Sequence, residues 1–240
     1  MNGLPPFISF GQAHVGAMIS VVLAVIAVPL LVRLLNHHTK RNIGMTIAAI
    51  LFLNEICIYF ISVYVYDNLP GASLPLQLCG VAALLTAWML WTQSYRAYEI
   101  AWFWAMGGSI PAMLTPDLAA GYPHPTFIHF FAGHGLIMLG VLHATFVDGY
   151  RPELRSVGKA ILATLLLMLV IAPINLLLDT NYMYLCAKPA QTTLIDFLGP
   201  WPWYVVSLVI IGAAVCLICY LPFALAEKLS PRSGSEQIKL

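Results

Sequence analysis

The chain has 240 residues, of which 60% are hydrophobic and 9% charged, and its formal net charge is +1. A soluble domain carries about 25% charged residues, so a deficit of this size along the whole chain excludes a soluble globular protein and describes a polytopic membrane protein. The near-neutral charge gives no basis for a nucleic-acid partner.

Apolar runs of about 20 residues read as membrane spans. They predict an all-α fold of seven transmembrane helices, at 12–35, 43–66, 74–92, 97–114, 126–146, 159–178 and 202–226. These make one transmembrane domain over 1–226, with a polar, disordered cytoplasmic tail at 227–240. The first run lacks a basic leader and a small-residue cleavage site, so it reads as a retained helix headed by His14. Asn54 and Glu55 fall near the middle of the second. The third opens with "LPLQLCGV", which puts Gln77 and Cys79 in its first turns. The fourth carries Gly107, Gly108 and Pro111 and is expected to bend there. Its Glu99 lies near the opposite end, within reach of interfacial water or Arg96. The fifth holds His129, His134 and His143, and the sixth ends with Asn175. A long connection, 179–201, adds Asn181, Tyr182, Tyr184, Lys188 and Asp196. "GPWPWY" then places Trp201, Trp203 and Tyr204 as an aromatic belt before the seventh. No lysine lies within that last span, which sets retinal binding aside.

Basic residues sort by loop. Arg33, Lys40, Arg41, Arg96, Arg151, Arg155, Lys159, Lys228, Arg232 and Lys239 occupy one set of alternating loops, and Lys188 alone occupies the other. The positive-inside rule then predicts the N-terminus outside and the C-terminus inside. At a rise of about 1.5 Å per residue, Gln77 and Cys79 lie within about 10 Å of the outer face and His134 about 12 Å down. The unusual polar chemistry therefore collects in the outer half, which points to an outward-facing site.

Cys79 with His134 is the sharpest pair, because a thiol needs a nearby base to become a strong nucleophile. Their depth matches that of phospholipid ester carbonyls. The competing reading makes Cys79 a small buried hydrophobe and His134 an interhelical hydrogen-bonding residue. A Cys79–Cys186 disulfide is another alternative, since both belong to the side where oxidation is possible. His14, His129 and His134 are candidates for a zinc site that activates water in a lipid hydrolase. Against it, His129 and His134 are five residues apart and do not share a helical face. Glu55 is open between a proton-path residue and an interhelical tie. With Asn54 it supports a rival reading as a small-solute or ion transporter or channel. A sensor or assembly protein with no chemistry is the third.

"LPLQLC", "HFFAGHG" and "NYMYLCAKP…LIDFLGPWPWY" resemble the YwaF family of bacterial integral membrane proteins, which includes the eukaryotic transmembrane protein 164. The resemblance covers most of the chain, and 181–204 is its most specific part. That relative is an acyltransferase remodelling ether phospholipids through a Cys and a His, and by motif those positions resemble Cys79 and His134. The family is distantly similar to androgen-induced intramembrane hydrolases, which use Thr with His, so hydrolysis through the same thioester is also implied. The expected protein is thus a lipid acyltransferase or acyl hydrolase of the bacterial cytoplasmic membrane, with membrane lipids as substrates and no cofactor or metal. Gln77, Asn175 and Lys188 are expected oxyanion donors. His129, His14 and Asn181 are expected second contacts to the substrate, and Asp196 is expected to pair with Lys188.

Overall fold

The structure, a computed structural model, describes residues 5–191 and 193–229. Eight α-helices account for most of it: α1 (Gln12–Val32), α2 (His37–Tyr64), α3 (Leu78–Thr92), α4 (Tyr95–Trp104), α5 (Ile110–Leu114), α6 (Pro125–Phe146), α7 (Leu154–Leu178) and α8 (Trp203–Leu229). A π-helical stretch, Ala105–Ser109, joins α4 to α5 without a break, so the eight helices make seven rods. No strand forms among the described residues; the one β-like contact is an isolated bridge between Pro6 and Ala120. Five helices, α1, α2, α6, α7 and α8, are long and apolar enough to cross a membrane. At 15 residues α3 is shorter.

Several predicted boundaries shift, most of them for a local reason. The second span was expected from residue 43, but α2 begins at His37 because Asn36 caps it, accepting from Thr39 N at 2.9 Å. Most of the predicted loop "NHHTKRN" is therefore the first turns of a helix, which carry the basic side chains outward from its start. The third helix begins four residues later than expected, at Leu78, after Pro75 and with Gln77 at the cap position. The expected bend in the fourth rod is the π-helical stretch, whose extra residue per turn falls at Gly107 and Gly108. At the C-terminus α8 runs to Leu229, past the predicted start of the tail at 227; residues 230–240 lie outside the described residues.

Helices α2, α3, α4 and α6 form the interior, with α1 against α6 and α7 against α4 and α8. The outward faces of α1, α7 and α8 stay rich in exposed Leu, Ile and Val, as lipid-facing surfaces require. Small residues let the inner helices approach. A Cβ on Gly140 of α6 would meet Thr86 Cγ2 of α3 at 2.5 Å, and one on Gly44 of α2 would meet His143 Nε2 at 3.2 Å. Gly140→Ala is therefore expected to force α3 and α6 apart and cost about 1–3 kcal/mol, the usual range for overpacking. Gly158→Ala on α7, where a Cβ meets nothing within 4 Å, is the matched control and is expected to be neutral or slightly stabilising. Thermal unfolding of the two variants in detergent separates them.

Opposite ends of the bundle are tied differently. At the end carrying the α3 C-terminus, the Glu99 carboxylate is 3% exposed and receives Lys159 Nζ at 2.6 Å and Ser156 Oγ at 2.7 Å. The expected partner Arg96 is thus replaced by Lys159, one helix away on α7. Arg41 and Arg151 cap the ends of α3 and α6 by donating to the carbonyls of Leu90, Trp91 and Thr145. At the other end, ties run through the connection between α7 and α8.

Candidate functional site

A cavity of about 250 Å³ opens at the end of the bundle where α3 and α6 begin. Glu55 of α2, Cys79 of α3, and His129 and His134 of α6 line it together with Gln77 and Tyr182. A larger void of about 570 Å³ lies between α1 and α6, but its lining holds no thiol, imidazole or carboxyl side chain. The chemistry is in the smaller one.

His134 is 5% exposed. Its Nδ1 lies 2.7 Å from the carbonyl oxygen of Phe130. A carbonyl only accepts, so Nδ1 carries the proton and Nε2 keeps its lone pair. The ring also packs on Phe130, centroid to centroid at 4.2 Å. One turn of its own helix thus fixes both the tautomer and the tilt of the imidazole.

Cys79 is half-buried and its thiol is free. It is the second residue of α3, and the first hydrogen bond there runs from Val81 N to Gln77 O at 3.0 Å. The N–H groups of Cys79 and Gly80 precede that bond and have no partner within the helix. They stand at the positive pole of the helix dipole, which favours negative charge on sulfur or on a carbonyl oxygen nearby. A side chain at Gly80 would meet Pro75 O at 2.9 Å, so only glycine lets the preceding loop close over this turn.

The connection between α7 and α8 contributes Tyr182 to the cavity wall. Tyr182 donates to Gly71 O at 2.6 Å and accepts from Leu74 N at 2.9 Å, reaching the loop before α3. Met183 N donates to Gln77 Oε1 at 2.7 Å. Tyr184 donates to Asp117 Oδ2 at 3.0 Å, and Gln191 N reaches Asp117 Oδ1 at 3.1 Å. Burial, and next the adjacent Asp117 carboxylate, push the Tyr184 phenol above its ordinary pKa. Tyr184 therefore stays a hydrogen-bond donor.

Of the residues singled out from the sequence, Cys79, His134, Gln77, His129, Glu55 and Tyr182 line the cavity, while Asn175, Asn181, Lys188, Asp196 and His14 do not. Asn175 is spent on the loop: its Oδ1 accepts from Tyr182 N and Thr180 Oγ1, and its Nδ2 donates to Tyr182 O. It holds the cavity wall from behind and is not placed to reach an oxyanion. Asn181 accepts from the N–H groups of Cys186 and Ala187. Lys188 donates to the backbone carbonyl of Asp196 at 3.1 Å, so the expected Lys188–Asp196 contact does not involve the carboxylate. That carboxylate instead accepts from Thr193 N. His14 accepts from Phe10 N at Nδ1 and lies 2.7 Å from Met113 O at Nε2. Both of its nitrogens are occupied away from the cavity.

Two alternatives are corrected by this geometry. Cys79 and Cys186 are both free thiols, so no bond links them. The three-histidine zinc site does not form: among the described residues no three His, Cys, Asp or Glu side chains gather as ligands, and His14 is engaged elsewhere. Two residues that bear on the site were not singled out for it. Tyr182 stood in the sequence as one polar loop residue among several, and Asp117 was not named at all. Their role depends on pairings across 108 and 67 residues, for which the local sequence holds no signal.

The family model described as the TMEM164 family matches residues 9–220. Comparisons with curated proteins and with solved structures give no match.

Proposed function

The chain belongs to the TMEM164 family, and from that premise we propose that this integral membrane protein moves fatty-acyl groups of phospholipid-type esters through a Cys79 thioester. In this reading it spans the bacterial cytoplasmic membrane seven times with its N-terminus outside, and the cavity faces the outer leaflet at the depth of lipid ester carbonyls. The observation that carries the proposal is that Cys79 and His134 line one cavity, and that Phe130 O holds the His134 proton on Nδ1 and leaves Nε2 its lone pair.

Each group then has a task. His134 Nε2 takes the Cys79 proton as sulfur attacks the ester carbonyl, and returns it to the departing alkoxide as the carbon–oxygen bond breaks. The N–H groups of Cys79 and Gly80 stabilise the oxyanion, with the Gln77 amide N–H as a third donor because Met183 already occupies its oxygen. Exclusion of water by the Tyr182 loop keeps these donors strong.

Incubation with a phospholipid carrying a clickable acyl chain is expected to label wild-type protein through a hydroxylamine-sensitive bond and to leave Cys79→Ser unlabelled by that bond. Intact-mass spectrometry reads both. Labelling that survives Cys79→Ser unchanged would sink the nucleophile assignment.

A further inference from the structure

Glu55 is the feature of the cavity that the thioester chemistry leaves unused. It sits on α2, 9% exposed, on the wall shared with Cys79 and His134. Among the described residues it joins no salt bridge, and the two ion pairs present are Arg155–Glu153 and Lys159–Glu99. A buried carboxyl costs several kcal/mol unless something pairs with it, and a tie between helices would show a partner. Its side-chain hydrogen-bond partner is the adjacent Asn54 on the same helix, so it ties α2 to no other helix. No lysine or arginine lines the cavity, so nothing there neutralises a phosphate or carboxylate ligand. The carboxyl oxygens of Glu55 accept hydrogen bonds, so this wall suits a group that donates them.

Resting on the thioester reading above, we propose that Glu55 binds the hydroxyl group of an alcohol acceptor, so that the acyl group leaves Cys79 for a lipid or glycerol-type alcohol in preference to water. On docking, the acceptor hydroxyl points its one proton at the Glu55 carboxyl, which brings its oxygen to the thioester; in the attack that proton turns from Glu55 to His134. His134 Nε2 takes the hydroxyl proton as that oxygen attacks the carbonyl. The carbon–sulfur bond breaks, a new ester forms, and the Cys79 thiolate recovers the proton from His134. Atoms and charge balance with no further reagent. The phosphate of a lysophospholipid acceptor stays outside the cavity, where no cation is required of its walls.

The two half-reactions make the test. Acyl-enzyme formation is followed by intact mass, and its decay is followed with and without a lysophospholipid or monoacylglycerol acceptor. Leucine suits Glu55 as a substitution because it is cheap in an apolar interior. Glu55→Leu is expected still to form the thioester, while acceptor-dependent decay of the formed acyl-enzyme falls about 10- to 100-fold, the value of one charge-assisted hydrogen bond, with the loss appearing first in the acceptor KM. Glu55→Gln, which keeps a carbonyl acceptor, is expected to recover part of that rate. Normal thioester formation in either variant also certifies its fold. Acceptor-dependent decay at the wild-type rate in Glu55→Leu overturns the assignment, as does a wild-type thioester that decays equally fast in water alone. A wild-type protein that never forms a thioester fails the underlying acyl-transfer reading instead.

Discussion

His134→Ala is expected to lower the rate of Cys79 acylation by about 100- to 10,000-fold, the range that a positioned general base supplies. The direction follows from which nitrogen is free. Nδ1 is bound to Phe130 O, so Nε2 is the atom able to take the thiol proton, and no other side chain lining the cavity offers the same combination. His129 has an unpartnered Nδ1, but it lies five positions along α6, more than one turn away and on a different face. Added imidazole is expected to restore part of the rate, because the methyl group of alanine leaves a space of about the right shape. A structural role would not be rescued in that way. Acylation of His134→Ala at the wild-type rate, measured by stopped-time intact mass, would remove this residue from the mechanism.

The second large effect lies at the other end of the bundle. Lys159→Met keeps the aliphatic stem but leaves the Glu99 carboxylate, 3% exposed, without its cation. Breaking a buried pair in this way costs about 3–5 kcal/mol. The lower end is expected here, because the Lys159 side chain is 52% exposed and Ser156 continues to donate. A loss of several degrees in thermal unfolding in detergent is the readout. Adding Glu99→Gln to Lys159→Met is expected to return most of it, since an uncharged amide no longer needs the cation. Unchanged unfolding in the single variant would mean that Glu99 finds water in place of Lys159.

The helices were legible in the sequence because apolar length is a local property. The runs that become α1, α6, α7 and α8 each match a predicted span to within a few residues, save the start of α7. That helix begins at Leu154, held by a reciprocal cap between Glu153 and Ser156, among polar residues that hydropathy reads as loop. The same blindness hid the start of α2, where one asparagine outweighs six polar neighbours. Within the site, Cys79 and His134 could be paired because each lies near the start of its helix on the same side, and rise per residue converts that into depth. Glu55 resisted, since depth along α2 alone does not say which neighbours it faces. Asn175 misled for a related reason: an amide at the right depth has the chemistry of an oxyanion donor, and only the loop that folds back over it reveals that its oxygen is taken. Lys188 was misread in the same way, through a contact that runs to a backbone carbonyl.

The Tyr182–Met183–Gln77 clasp carries a consequence for how the protein is made. Its partners stand 106 to 111 residues apart along the chain. Helices α2, α3 and α6 leave the ribosome well before the connection after α7 does, and chains fold as their segments emerge. For that interval the newly inserted bundle holds the thiol and imidazole in a cleft that lacks its Tyr182 wall. That wall arrives with the last third of the polypeptide, so the cavity is completed late in synthesis, after the helices that carry the thiol and imidazole and before α8.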